Sequence, residues 1–187
     1  MSITRSLFSK VIPVCAIVVG FAVPAMAQNS SNVDVSGGYN LEHVPGQTLP
    51  GGWYADVAGK VTPMFGVVGQ ITGNYKTIGA GGVSVDTKLH TFMGGVRGYA
   101  PASSGVVPYG EVLFGAAHWS GSSNLSGVLP FSVGLSETDA ALQLGGGVQF
   151  VPAGSKVGAQ VSIDYQRMFG NADANAFRFA AGVVIGF

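Results

Sequence analysis

The sequence predicts an all-β protein, a closed eight-stranded antiparallel up-and-down transmembrane β-barrel, and three observations carry that expectation. The first is a composition too apolar for a water-facing coat. The chain has 47% hydrophobic residues and 30 glycines but only 10% charged residues, against about 25% charged in ordinary soluble domains. The second is that no run after residue 28 approaches 18 uninterrupted apolar residues, so no membrane-spanning helix is expected. The third is a series of segments of about ten residues in which apolar and polar or small side chains alternate, each bounded by turn chemistry. In lipid, every backbone polar group must find its partner within the protein. An apolar chain without a helical span is then left with a closed barrel.

Residues 1–27 have the pattern of an export leader. Arg5 and Lys10 give a positive start, "VIPVCAIVVGFAV" a short apolar core, and "AMA" at 25–27 a small-residue cleavage site. The apolar core is too short, and too soon followed by "QNSSN", to span a bilayer as a helix. Cleavage after Ala27 would leave 28–187 as one barrel domain. Cys15, the only cysteine, lies in the leader behind Pro13-Val14, which does not fit lipoprotein processing. The mature chain therefore needs no disulfide. Removing Arg5 and Lys10 from the 9 Lys and Arg leaves 7 against 9 Asp and Glu. That balance excludes nucleic acid, which needs a basic stripe.

The strands follow in order. Segment 33–41 sets Val33, Val35, Tyr39 and Leu41 on one face, and 52–61 sets Trp53, Ala55, Val57 and Val61 opposite Tyr54, Asp56 and Lys60. Segment 65–75 sets Phe65, Val67, Ile71 and Tyr75 opposite Gln70, Thr72 and Asn74. Segments 88–99 and 107–119 are less regular, because Met93, Val96 and Leu113 blur the alternation. Segment 137–150 alternates Leu142, Leu144, Val148 and Phe150 with Gln143 and Gln149, and 155–167 alternates Val157, Val161 and Ile163 with Gln160, Ser162 and Asp164. The eighth, "FRFAAGVVIGF" at 177–187, has Phe177, Phe179, Val183, Ile185 and Phe187 on one face. The intervening connections are about 10, 3, 12, 7, 17, 4 and 8 residues long. Long alternating with short is the pattern of an outer-membrane barrel with external loops and periplasmic turns, and an even strand count puts both termini in the periplasm. A soluble eight-stranded ligand barrel is the structural rival, with every face reversed.

Three stretches, "HTFMGGVRGY", "VPYGEVLFGAAH" and "IDYQRMFG…NAFRFAAGVVIGF", resemble the outer-membrane protein β-barrel family, relatives of the OmpA-like transmembrane domain. The resemblance implies an eight-stranded barrel of the bacterial outer membrane. It also implies that the C-terminal aromatic pattern Phe177, Phe179 and Phe187 is a signal for the barrel assembly machinery. The periplasmic peptidoglycan-binding domain of full-length OmpA has no counterpart here, so cell-wall tethering is not expected.

An eight-stranded barrel is only wide enough inside to be filled by side chains. Symmetric hairpins centred on Gln47, Ser104 and Asn171 put Asp34 opposite Lys60, Arg97 opposite Glu111, and Asp164 opposite Arg178. These pairs, with Asp56, would plug the lumen, since a desolvated charge persists only when paired. The sharper alternative is a narrow gated pore in which one pair breaks. Trp53 and Tyr75 at the external end, and Phe65 and Phe150 at the periplasmic end, would form the aromatic girdles; Trp119 falls on the lumen face. "HWS" places His118 and Ser120 on one face near the outer leaflet and resembles lipid A deacylases, where His activates a Ser nucleophile. Here "GSS" replaces the expected Asn-Ala-Gly, and no acidic partner is obvious before Glu137. His43 and His90 form no metal constellation with it, and no cofactor is expected. The majority reading is a structural or surface-interaction barrel, monomeric, with outer-membrane lipids and lipopolysaccharide as neighbours. The loop at 120–136, with apolar "VLPF" at 128–131, either packs across the mouth or offers a contact patch.

Overall fold

The computed structural model describes residues 32–80, 83–101, 105–125, 132–170 and 174–187. Eight strands follow one another: β1 (Val33–Val44), β2 (Gln47–Lys60), β3 (Phe65–Ala80), β4 (Val83–Tyr99), β5 (Val106–Leu125), β6 (Ser132–Phe150), β7 (Val157–Phe169) and β8 (Ala174–Gly186). Each pairs antiparallel with its neighbours, and β1 also pairs with β8, which closes the barrel. Closure leaves no strand edge to satisfy. It also holds the chain end: the Phe187 amide donates to the Val33 carbonyl at 2.8 Å, and the Asn32 amide donates to the Phe187 carbonyl at 2.9 Å.

The pairing fixes the tilt. From Val33, successive cross-strand partners are Gly59, Val67, Val96, Val112, Leu144, Tyr165 and Phe177, which returns to β1 at His43, ten residues further on. A stagger of that size over eight strands tilts them by about 40° at ordinary strand spacings. At that tilt, about 9–11 residues cross the hydrocarbon layer. The outward face carries an apolar band of this length, for instance 65–75 in β3 and 157–165 in β7. Phe65, Phe114 and Phe187 are 61%, 62% and 64% exposed. A contiguous apolar belt this bare is a surface for lipid rather than water. Polar side chains start where the band stops, at Thr77, His90, His118, Thr138, Arg167 and Asn175.

On the external side the structure departs from the expected loops. The first connection is not about ten residues but a two-residue turn, Pro45-Gly46, with Gly46 at φ 87°. Pro followed by Gly suits a turn whose second central residue needs positive φ. The expected long connections around 76–87 and 120–136 are largely strand. β3 and β4 stay paired from Lys76↔Thr87 to Ala80↔Val83, and β5 and β6 from Gly121↔Leu135 to Asn124↔Ser132. Thr77, Ile78, Val83 and Val85 suit a continuing β3–β4 ladder, and both hairpins rise above the apolar band. The expected leader with its cleavage after Ala27, and the 128–131 stretch, lie outside the described residues.

The lumen differs too. The alternation assigns the small, polar and charged face to the lumen, less clearly in β4 and β5. Instead, Val44, Leu49, Leu89, Met168 and Ala176 form an apolar cluster inside the external ends of the strands, with Trp119 packed against it. Met93 and Leu113, which blurred the alternation, also point inward, whereas Val96 is exposed.

Candidate functional site

Below that apolar layer, the lumen is filled by charges from β1, β2, β4, β5, β7 and β8, with Gln70 from β3 and Gln143 from β6 buried beside them. Arg97 on β4 is fully buried. Its Nη2 lies 2.7 Å from Glu111 Oε2 and 3.3 Å from Asp56 Oδ2, and its Nε donates to Glu111 Oε2 at 2.8 Å. Arg178 on β8 donates from Nε and Nη2 to Asp164 Oδ2 at 3.0 and 2.6 Å. Arg97 and Glu111 are direct cross-strand partners, as are Asp164 and Arg178. Lys60 Nζ sits 3.1 Å from Asp34 Oδ2, but the residue directly opposite Asp34 is Ala58. The tight Pro45-Gly46 turn and an irregularity between Asn40 and Glu42 shift the register, so Lys60 reaches Asp34 diagonally.

Other lumen groups carry no obvious mark in the sequence. Glu42, assigned above to a loop, is fully buried and accepts from Asn74 Nδ2 at 2.6 Å. The Pro45-Gly46 turn signal is what would have placed it in a strand. Three interior tyrosines lie under the cations: Tyr109 under Arg97 at 4.4 Å, Tyr99 under Lys60 at 5.1 Å and Tyr54 under Arg178 at 6.0 Å from the ring centroids. Such contacts strengthen when desolvated. Amides extend the network: Gln143 Nε2 donates to Glu111 Oε1 at 3.2 Å, Gln166 Nε2 to Gln143 Oε1 at 2.7 Å, and Gln160 Nε2 to Asp56 Oδ2 at 3.3 Å.

Gly145 makes room for this arrangement, standing between Glu111 on β5 and Asp164 on β7. A β-carbon there would press into the Asp164 carboxylate, 2.7 Å from its Cγ. Gly145→Val is expected to destabilise the barrel by about 1–3 kcal/mol through overpacking. The midpoint of the heat-induced shift in SDS electrophoresis checks it, and an unchanged midpoint would show that the lumen has slack at this point.

The outward face carries the aromatic residues. Trp53 Nε1 donates to Tyr75 Oη at 3.2 Å, and Tyr75 Oη lies 3.1 Å from His90 Nε2. Phe65 and Phe150 stand outward toward the opposite end, and Phe177, Phe179 and Phe187 outward on and after β8. Trp119 is on the lumen side, its Nε1 donating to Met168 Sδ at 3.3 Å. His118 and Ser120 both face outward, but no hydrogen bond joins them among the described residues. His118 Nδ1 instead lies 2.7 Å from Thr138 Oγ1. The ring nitrogen that an orienting carboxylate would take is therefore on a hydroxyl. His43 Nδ1 is engaged by Thr48 Oγ1 at 2.9 Å. No group of three or more His, Cys, Asp or Glu able to hold a metal occurs among the described residues.

A family model described as outer membrane protein beta-barrel domain matches residues 14–187. Solved structures of similar fold include Ail, the attachment invasion locus protein of Yersinia pestis, at 16% identity and a TM-score of 0.55, covering 83% of this chain and 96% of that one. Neisserial surface protein A matches at 16% identity and 0.60, with the same coverage. The N-terminal β-barrel domain of Pseudomonas aeruginosa OprF matches at 12% and 0.53, covering 85% of this chain and 100% of that one. At these identities the likeness is one of fold. No curated protein matches the sequence.

Proposed function

The chain belongs to the outer membrane protein β-barrel domain family, and from that premise we propose that it is a plugged, non-enzymatic barrel of the bacterial outer membrane that offers its raised hairpins as a contact surface. One observation carries the reading. The lumen is closed by buried ion pairs under an apolar cluster, while β3–β4 and β5–β6 continue as paired strands beyond the apolar band. A wall that rises out of the membrane around a closed lumen serves its rim, not its interior. Cleavage of the leader after Ala27, recognition of Phe177, Phe179 and Phe187 by the assembly machinery, and a monomeric state belong to the same proposal.

A pore would need the Arg97 and Arg178 pairs to part, and each separation strands a charge in a dry interior. A hydrolase would need His118 to activate Ser120, and the contact with Thr138 orients the ring otherwise. Two measurements test the proposal together. Planar bilayers containing the refolded full mature chain should show no steps of conductance above the lipid baseline. Replacing 122–134, above the Gly121↔Leu135 pair, with an Asn-Gly turn should preserve the heat-dependent mobility shift and abolish adhesion of expressing cells to cell monolayers. Regular conductance steps would replace the plugged barrel with a pore, and undiminished adhesion would remove the contact role.

A further inference from the structure

The residues that hinted at a hydrolase sit in a different kind of site. Lys88 pairs across β4–β5 with Ser120, and His90 with His118. All four side chains face outward, and directly opposed side chains on neighbouring strands stand about 5 Å apart. They form a block of one ammonium, two imidazoles and one hydroxyl. Tyr75 flanks it on β3, its ring edge-on to His90 at 5.5 Å between centroids. The known contacts of the rings, His90 Nε2 with Tyr75 and His118 Nδ1 with Thr138, leave the second nitrogen of each for another partner. Lys88 is exposed and makes no ion pair among the described residues. The nearby Asp86 carboxylate accepts from Thr77 Oγ1 at 2.6 Å.

Position names the partner. The next outward residues toward the membrane centre are Phe92 on β4, then Ala116 and Phe114 on β5, with Phe92 58% exposed and Phe114 62% exposed. The block therefore lies on the line where the hydrocarbon ends, at the end of the barrel that carries the long hairpins. Phosphates of lipid headgroups occupy that depth, and cations near a membrane surface attract anionic lipid. Charge-assisted hydrogen bonds to phosphate oxygens are the strong interaction such donors make.

We propose that Lys88, His90, His118 and Ser120 bind a phosphate of a phosphorylated glycolipid of the outer leaflet, lipopolysaccharide, on the outside of the barrel wall. The site rests on the membrane-embedded barrel of the preceding reading but is independent of the hairpin contact role. It assigns the two histidines a lipid rather than a reaction, with Tyr75 and Trp53 packing beside the sugar.

The test uses the full mature chain refolded in detergent, with fluorescent bis-phosphorylated lipid A as probe. Lys88→Gln alone should weaken binding about fivefold, the effect of one cation near a charged surface. The variant K88Q/H90Q/H118Q should lose more, at least about tenfold. Both should keep the heat-dependent mobility shift and insert into vesicles, since all three positions lie outside the lumen. Dephosphorylated lipid A should bind the unaltered protein no better than the triple variant binds the phosphorylated form. Equal binding of phosphorylated and dephosphorylated lipid A, or full binding by the triple variant, would overturn the site. Phosphatidylglycerol competing as well as lipid A would overturn the assignment to lipopolysaccharide. Failure to insert into vesicles would instead strike the membrane reading itself, so the two failures are distinguishable.

Discussion

Arg97→Met is expected to lower the unfolding free energy of the barrel by about 3–5 kcal/mol, the usual cost of removing one partner from a buried ion pair. Arg97 is fully buried, and it serves two carboxylates at once, Glu111 at 2.7 Å and Asp56 at 3.3 Å. Methionine fills much the same space but leaves both carboxylates without a cation. Each must then be desolvated unpaired or take up a proton, and the cost falls on the folded state alone. The attraction between Arg97 and its partners is not what the experiment reads. It reads the uncompensated charge left behind, so the triple variant R97M/D56N/E111Q should recover most of the loss by removing the charges together. Urea-dependent unfolding in lipid vesicles measures both variants. A loss below about 1 kcal/mol, typical of solvent-exposed pairs, would mean that water reaches Arg97 and that the lumen is not plugged.

The same network shows what a sequence can and cannot reveal about this site. Arg97–Glu111 and Asp164–Arg178 are legible because each pair flanks a hairpin that is symmetric about its centre, so counting from the turn reaches the right partner. Asp34–Lys60 is legible only as chemistry. Its register depends on a bulge between Asn40 and Glu42 that alternation does not announce, and the contact is diagonal. Glu42 stays hidden while 42–51 is taken for a loop. Strand count follows from period-2 patterning, and closure from the need of an apolar chain without a helical span to pair every backbone group; the patterning itself reports the parity of a side chain and nothing more. Parity does not say how far a strand continues once it leaves lipid, where glycine and serine crowd the sequence, as in "GAGG" at 79–82 and "SGSS" at 120–123, and read as turn chemistry although Ile78, Val83 and Val85 keep the alternation. The raised hairpins at 76–87 and 121–135 are missed for that reason. Nor does it separate an apolar lumen layer from an apolar lipid face, and Leu49, Leu89 and Leu113, all fully buried inside, mark where that distinction fails. The block at Lys88, His90, His118 and Ser120 needs the β4–β5 register. In the sequence the two histidines are far apart, and only pairing sets them side by side.

Val161→Arg on β7 tests which side of the wall meets lipid. Val161 is 44% exposed and lies midway along the outward band at 157–165, between Ala159 and Ile163 on the same face. If the band is immersed in hydrocarbon, an arginine there is expected to cost about 2–4 kcal/mol, because its charge sits at the depth farthest from either interface. Ser122→Arg provides the comparison. Ser122 is on the same outward face of β5 but beyond His118 and Ser120, above the band, and its cost should be about 0–1 kcal/mol. The difference between the two positions carries the result, because both substitutions add the same side chain to the same kind of paired strand. Folding into vesicles of increasing urea content measures each. A protein of the inverted kind, soluble with its exposed face in water, would tolerate both arginines within about 0.5 kcal/mol, as ordinary surface substitutions do. Depth dependence is the property that only a bilayer confers, since water presents the same dielectric to every point on a wall. A steep fall in cost from Val161 to Ser122 would locate the hydrocarbon boundary between them, at the level where Lys88, His90 and His118 stand.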